Sequence, residues 1–498
     1  MTLETQISPS IAQNASPQKT EEAQRWFLST VQLWGLIVLT LHLAASNLPE
    51  ATAWSVWPYT FLPPWLGWLL ALLVAALIIP ALNNIVLKGL AWLWGVWPGK
   101  QARHGWFALA ALLAGLLFWL ARLRHLRWGD AYVLTVALDY EGPGGPLIYN
   151  WQAPLTVFTH QRLWQFVANP WLDWPPEYVY AAVSIICGMI FVYVLLAFLS
   201  QLGHSPLETA ILAGLMLTTG SMQLFFGYIE NYTIVSLGLL MTMFLAWQAL
   251  RGQVQPVWPV LALSLTNGFH PSTVFLWPGM LFLVWLCWKR QRVSLTSGLL
   301  QTILPPLLVG GGVFALMEHG DHGLSSLLGA DRPGGGDGIW FVPLFATTTK
   351  WQHYTMFSVA HVLDWSNEHL LISPFGLPLI LLSLITVYRF RLTLFDASIF
   401  DVSKIDASPD KDYGYFLGVT TATYLLLTWL WNPDYGGHKD WDLFAPSAFV
   451  YTLLAGYLLV RTLSDRDKLR AGGLFVITIS LLHTAAWIFT NTHALPRE

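Results

Sequence analysis

The 498-residue chain is short of charge: only 11% of its residues are Asp, Glu, Lys or Arg, against about 25% in a soluble globular protein. So few charges cannot cover the surface of a water-soluble particle of this length, which excludes a soluble enzyme held by a single anchor. Cysteine is nearly absent. Cys187 and Cys287 both lie in apolar runs, which excludes a disulfide framework and any zinc-binding spacing. A surplus of one sign is lacking too. The 25 Lys+Arg stand against 28 Asp+Glu, for a formal net charge of −3, so no nucleic-acid partner is expected. The first 25 residues have no apolar core. They are not a cleavable signal peptide and read as a disordered tail.

What is present is hydrophobic surface, at 55% of residues. Several apolar runs reach about 20 residues, enough to span a bilayer as a helix. A transmembrane β-barrel is excluded, because its strands alternate. Many of the 28 Trp stand near the ends of apolar runs, where the membrane interface favours them. The chain therefore reads as an all-α polytopic membrane protein with about 13 transmembrane or broken-helix segments. They are expected at 26–48, 64–86, 104–122, 177–201, 206–225, 231–250, 257–268, 272–288, 295–317, 369–389, 413–431, 442–461 and 471–490. The pair 257–268 and 272–288 is short and interrupted by Asn267, Gly268, His270 and Pro271. Irregular backbone at membrane depth must line protein or water, so this pair is expected to be a broken hairpin beside a cavity.

The positive-inside rule places the N-terminus in the cytoplasm and the C-terminus outside. Seventeen of the 25 Lys+Arg then fall inside, and seventeen of the 28 Asp+Glu fall outside. The long loops 123–176 and 318–368 are also outside. The inner stretch 390–412, with Asp396, Asp401, Asp406, Asp410 and Asp412, reads as a solvated linker. The chemistry is expected on the non-cytoplasmic face.

Three outer segments carry reactive groups. The first holds Arg122, Arg124, His125, Arg127, Trp128, Gly129 and Asp130, followed by Asp139, Tyr140 and Glu141. Its arginines oppose the positive-inside trend, and Arg suits phosphate. Asp130, at the membrane edge, could act as general base toward a hydroxyl. A helix over 130–140 would put Glu141 on the same side as Asp130. The second segment is Phe225 to Tyr232, in which Tyr228, Glu230 and Asn231 suit a sugar, by ring stacking and by hydrogen bonds to its hydroxyls. The third is Asn432 to Asp442, with Asp434, His438, Lys439, Asp440 and Asp442 around paired glycines. Lys439 could neutralise phosphate. Asp440 and Asp442 could cap the next helix or hold a divalent cation, although the spacing matches no EF-hand. In the 318–368 loop, Asp331–Gly338 is too Gly-rich to be rigid, and 351–366 reads as a short amphipathic helix. The loop could close over a bound substrate. His319 and His322 there also allow a metal reading.

Arg127-Trp128-Gly129-Asp130, a Tyr-rich amphipathic helix, Gly-rich sequence and Ala153-Pro154-Leu155 together resemble the first outer loop of the GT-C superfamily of integral-membrane glycosyltransferases. The break at His270-Pro271 and the long outer loop before the last helices fit the same plan. The resemblance covers about residues 104–490 and implies a catalytic membrane domain there. Residues 26–103 would then be two extra N-terminal helices with a basic inner loop, and 491–498 an outer tail. It implies a sugar donor linked to polyprenyl phosphate, a hydroxyl acceptor, and Asp130 as catalytic base. The family's pair of adjacent acids is absent, with Asp139 and Glu141 displaced instead.

On this reading transfer is inverting. Arg124, Arg127 and Lys439 hold the leaving phosphate. Asp139, Glu141, Tyr228, Glu230, Asn231, His270, Asp440 and Asp442 bind sugar or acceptor. The lipid chain lies beside the broken hairpin. A bacterial inner membrane is the expected location. The alternative class is a multi-pass transporter or lipid flippase, for which His42 and His270 are the ionisable candidates near the bilayer midplane.

Overall fold

The computed structural model of the chain describes residues 17–94, 103–142, 145–328, 339–392 and 408–494. The first sixteen residues, Asp331–Gly338, most of the 390–412 linker and 495–498 lie outside the described residues. The architecture is all-helical. In chain order the longer helices are α1 (Pro17–Ala44), α2 (Pro64–Ala75), α3 (Pro80–Trp94), α4 (Arg103–Leu120), α5 (Ala131–Leu138) and α6 (Pro154–Leu163). They continue with α7 (Pro176–Leu202), α8 (Pro206–Leu217), α9 (Tyr232–Leu250), α10 (Val257–Phe269), α11 (Trp277–Lys289) and α12 (Leu295–His319). The last are α13 (Val359–Ile372), α14 (Gly376–Phe390), α15 (Pro409–Leu430), α16 (Trp441–Thr462) and α17 (Arg466–Asn491). Among the described residues, 8 helices are long and apolar enough to cross a membrane, or up to 10 if each of two bent pairs is one span.

Local chemistry sets several boundaries. Ser205, Ser294, Ser358 and Asp465 each accept a backbone N–H of the helix they precede, satisfying donors that a helix leaves open. α16 is hydrophobic all round and every one of its residues is buried, as the central helix of a bundle must be. Helices α8, α9, α13, α14 and α15 pack around it. α12 is the opposite case. Leu299, Leu300, Ile303, Leu304, Leu307 and Leu308 are all at least half exposed, a face made for lipid.

Several boundaries depart from the sequence reading. Residues 17–25 are not a tail but the first turns of α1, and Gln24 and Phe27 are already buried against the bundle. The span expected at 64–86 is broken, because a tight turn at Ala76–Ile78 and then Pro80 interrupt it. The span at 206–225 stops at Leu217 and continues as a 3-10 stretch, Gly220–Phe225. There a Cβ at Gly220 would collide with the Leu371 carbonyl, so only glycine permits the approach. The surface helix expected at 351–366 runs instead from Val359, where Ser358 caps it, to Ile372. It meets α14 at a bend of 100°.

The two ends of the bundle differ. One end gathers the loops around 121–130, 226–231 and 431–440, joined by backbone hydrogen bonds from Leu123 to Phe226 (2.8 Å) and from Gly129 to Lys439 (2.9 Å). The other end is clamped by ion pairs. Arg290 binds Asp412 through two hydrogen bonds of 2.8 and 2.7 Å. Arg461 and His204 share Asp410 at 3.1 and 2.7 Å.

Candidate active site

Three helix N-termini converge on one cavity of about 580 Å³. They belong to α5, α9 and α16, and the residues before them are Asp130, Asn231 and Asp440. All three line the cavity, and none of their side chains caps its own helix. The positive ends of three helix dipoles therefore border the cavity, where an anion is favoured. Tyr232, Trp351, Trp431 and Tyr435 give it aromatic walls. His270 lines it from the break after α10, in extended conformation. Its Nδ1 accepts the Ser272 N–H (3.2 Å), so a neutral ring keeps its proton on Nε2 as a donor.

Carboxyl groups crowd this end. The Asp130 backbone N–H donates to Glu230 Oε1, and the Asn231 N–H donates to Glu230 Oε2 at 3.2 Å. Tyr435 uses both its groups: its backbone N–H donates to Asp440 Oδ2 at 2.7 Å, and its hydroxyl donates to the Asp130 carboxylate. The buried Tyr228 hydroxyl lies close to Asp442. Acids this close cannot all ionise. Burial, then the charges of Asp442 and Asp130, hold Glu230 well above the ordinary carboxyl range. Burial and the Asp442 charge do the same to Asp440. Asp130 is raised by burial, but the Tyr435 hydroxyl opposes the rise. Burial and the neighbouring charges thus favour the protonated form of Glu230 and Asp440, while the Tyr435 hydroxyl favours the anion of Asp130.

The loop bearing Asp130 is held from behind. Asn491, at the end of α17, accepts from Trp128 Nε1 (3.0 Å) and His125 Nε2 (3.2 Å), and donates to Gln223 Oε1 (2.9 Å). Its carbonyl accepts the Arg124 N–H at 2.9 Å. Burial lowers the His125 pKa to about 4, leaving the ring neutral, and its Nδ1 accepts the Arg127 N–H (3.3 Å), so the proton stands on Nε2. The 434–440 loop is held by Asp364, which accepts from the Gly437 N–H (2.9 Å), the Tyr354 hydroxyl (2.9 Å) and Trp54 Nε1 (3.0 Å). A Cβ at Gly437 would stand 2.5 Å from Asp364 Oδ2. Asn491→Ala leaves three buried polar groups unpaired. It is expected to cost about 3 kcal/mol, at ~1–3 kcal/mol for each group stranded. Thermal unfolding in detergent checks this against Asn491→Asp, which keeps the acceptor.

The structure brings Asp130, Glu230, Asn231, His270, Asp440 and Asp442 to one place. Tyr228 joins them in a different capacity from the one expected. The left-handed turn at Gly227 (φ 66°) tucks it inward, where it is fully buried against Trp441. It cannot stack on a sugar and instead packs beside Asp442. Asp139 and Glu141 are not brought in: α5 ends at Leu138, so the shared helical face does not extend to them, and both are exposed. The Arg124 side chain is exposed and does not line the cavity. Arg127 is buried between the rings of Trp57 and Trp128, behind the lining. Its charge and that of Lys439 add to burial in lowering His438 to about 4. Asp440 does not use its carboxylate as a cap, because Tyr435 takes it. Among the described residues, no three His, Cys, Asp or Glu are arranged to hold a metal ion.

Sequence reasoning missed Asn491 and Trp54, and placed Asp364 among the polar residues of the 318–368 loop without its anchoring role. Of the two missed, only Trp54 carries any signal, as one of two closely spaced tryptophans, Trp54 and Trp57, between the first two apolar runs.

Fold and site together define a multi-pass helical membrane protein with an acid-lined cavity at one end, to which three helix N-termini point. No protein-family model matches the chain, and no curated protein does. Two solved structures are similar in outline. ArnT from Cupriavidus metallidurans bound to undecaprenyl phosphate shares 10% identity over 79% of this chain and 78% of that one, with a TM-score of 0.46. The same protein in its apo state shares 11% over 78% and 77%, with a TM-score of 0.45. A likeness at this distance assigns neither substrate nor activity.

Proposed function

We propose that the chain is a GT-C-type membrane glycosyltransferase that moves a sugar from a polyprenyl-phosphate carrier to a hydroxyl acceptor. The observation that carries this is the convergence of three helix N-termini on the cavity that Asp130 lines. The N-terminal amides suit a phosphate that gains charge as it leaves, and such preorganised dipoles are strongest away from water. The carboxylate suits proton removal from a hydroxyl. The first-loop resemblance implies the same role for this residue.

The step balances as a single displacement. The acceptor O–H gives its proton to Asp130, and its oxygen forms the new bond to the anomeric carbon. The bond from that carbon to the phosphate oxygen breaks, its electron pair leaves with the lipid phosphate, and the configuration inverts. The helix termini neutralise the phosphate, while Lys439, like Arg124, is not among the residues lining the cavity. Asp440 and His270, which line the cavity, hydrogen-bond sugar hydroxyls, and Glu230 holds the Asp130 backbone from behind. The lipid chain runs beside the break at His270. The cavity faces the non-cytoplasmic side of a bacterial inner membrane, with the N-terminus inside, in keeping with the distribution of Lys and Arg.

The test is the purified chain in liposomes carrying a panel of polyprenyl-phosphate-linked hexoses and pentoses. Sugar-dependent release of polyprenyl phosphate supports the reading. Solute uptake or lipid translocation without release of polyprenyl phosphate overturns it in favour of a transporter. A pH profile adds a check. Asp130 works as the anion and is raised above the ordinary Asp value by burial. Turnover should therefore fall on the acid side, with a midpoint above about 3.9. A flat profile through that range removes Asp130 as the titrating base.

A further inference from the structure

Away from the cavity, two buried histidines meet between α1 and α17. His42 is 4% exposed and His483 is 1% exposed. His42 Nδ1 lies 2.7 Å from the Val38 carbonyl oxygen. His483 Nε2 lies 3.0 Å from the Leu371 carbonyl oxygen, at the end of α13. A carbonyl can only accept, so each of these nitrogens carries a proton. The two remaining nitrogens, His42 Nε2 and His483 Nδ1, face each other at 2.8 Å. In two neutral rings both would present lone pairs at hydrogen-bond distance, which is repulsive. One more proton between them turns the repulsion into a hydrogen bond and completes an unbroken chain from Val38 to Leu371.

We propose that His42 and His483 together bind one proton, shared between Nε2 of the first and Nδ1 of the second. The surroundings suit a cation. Leu371 is one residue from the end of α13, and His42 is in the last turn of α1. Both helices thus turn their negative ends toward the pair. The Tyr59 ring sits 4.4 Å from His42. Tyr59 is the titratable group facing the pair from the 3-10 segment Trp54–Phe61, α13 offers the Leu371 carbonyl, and no carboxylate among the described residues lies against either ring.

The proton fastens a joint. The same junction holds Ser55, whose N–H and hydroxyl donate to Asn367 Oδ1 of α13 (3.3 and 2.8 Å). Trp487 of α17 donates to the Ser55 carbonyl at 2.8 Å. One turn earlier, α13 carries Asp364, which holds the 434–440 loop. The bound proton therefore ties the N-terminal helix and the Trp54–Phe61 segment to the helix that supports the cavity. This inference does not depend on the chemistry performed there.

The sign follows from linkage. A pair that holds its proton more tightly than free histidine (pKa about 6.5) adds stability fully present below that value. The added stability is lost as pH rises through the pair's own pKa. The test uses the full chain in proteoliposomes, labelled with 15N-histidine and read by magic-angle-spinning NMR at neutral pH. The expected result is three protonated nitrogens among the pair's four, with one low-field proton coupled to two nitrogens. That signal is lost in both His42→Gln and His483→Gln. Two neutral rings in the wild type overturn the proposal, and this measurement needs no variant to fold. Unfolding temperatures give a second reading. The wild-type advantage over His42→Gln should shrink as pH rises from roughly 6 to 9, and parallel curves overturn it. Stoichiometric copper or zinc that is lost in His42→Gln would overturn it in favour of a bridging metal.

Discussion

Asp130→Asn should lower sugar transfer by about a thousandfold, within the range by which a positioned general base accelerates proton transfer, while the protein folds and binds polyprenyl phosphate as before. Asparagine keeps the size of the side chain. It also keeps the backbone hydrogen bonds that place the residue, from its N–H to Glu230 and from the Leu134 N–H to its carbonyl. The Tyr435 hydroxyl can still donate to Oδ1. What is lost is the ability to take a proton. Glu230→Gln is the matched control. Burial and neighbouring charges hold Glu230 well above the ordinary carboxyl range. Its two oxygens accept the Asp130 and Asn231 N–H groups, and an amide can accept only one, so the displaced N–H alone should cost about tenfold in turnover, ~1.4 kcal/mol. Unchanged transfer by Asp130→Asn, at wild-type expression and unfolding temperature, would remove Asp130 as the base. If Glu230→Gln proved the more damaging, the roles of the two acids would be reversed.

The second large effect is expected one residue earlier. Gly129 has a φ of 47°, a left-handed conformation that costs another residue about 1–2 kcal/mol. A Cβ there would also collide with Glu230 Oε1 and come within 3.0 Å of Asp442 Oδ2. Neither carboxyl group is free to move, since each accepts a backbone N–H, of Asn231 and Leu443 respectively. Gly129→Ala is therefore expected to push Asp130 off its station and reduce kcat by about a hundredfold, the scale of a displacement near 1 Å. Gly145→Ala separates strain from collision. Gly145 has a φ of 70° but open space around its Cα, so the alanine there should cost about 1 kcal/mol of stability and leave turnover nearly intact. Equal losses at the two positions would mean that backbone strain alone accounts for the effect.

How far the sequence could be read depends on the kind of information each feature needs. Long spans such as α7, α9, α12 and α16 are bounded by polar residues or proline, so their ends could be placed within a few residues. The break at His270 was legible because glycine and proline act locally. The three acid-bearing loops were also visible as local departures from an apolar background. Their convergence was not written locally, since residues near 130, 230 and 440 meet only when the bundle closes. The direction a side chain takes was less legible still. Tyr228 and Glu230 are two positions apart on one loop, yet the turn at Gly227 decides that the first is sealed in as a support. A helix through Glu141 was a reasonable extrapolation from 3.6-residue periodicity, but α5 stops at Leu138. The anchor Asn491 was invisible, because its importance lies in what it holds hundreds of residues away, and Asp364 was visible as a loop acid but not as the support of a loop 73 residues on.

Asn491 has a consequence for how the protein is made. The Asp130 loop lies between α4 and α7 and leaves the ribosome early, whereas the residue that accepts the indole N–H of Trp128 and the backbone N–H of Arg124 lies at the end of α17. Contacts of such long sequence separation close late. The nascent chain can insert most of its helices with Trp128 and His125 unpaired, and the loop settles only when the last of these helices is threaded into the bundle. A chain arrested before that point would be inserted and helical but would leave the Asp130 loop without its anchor.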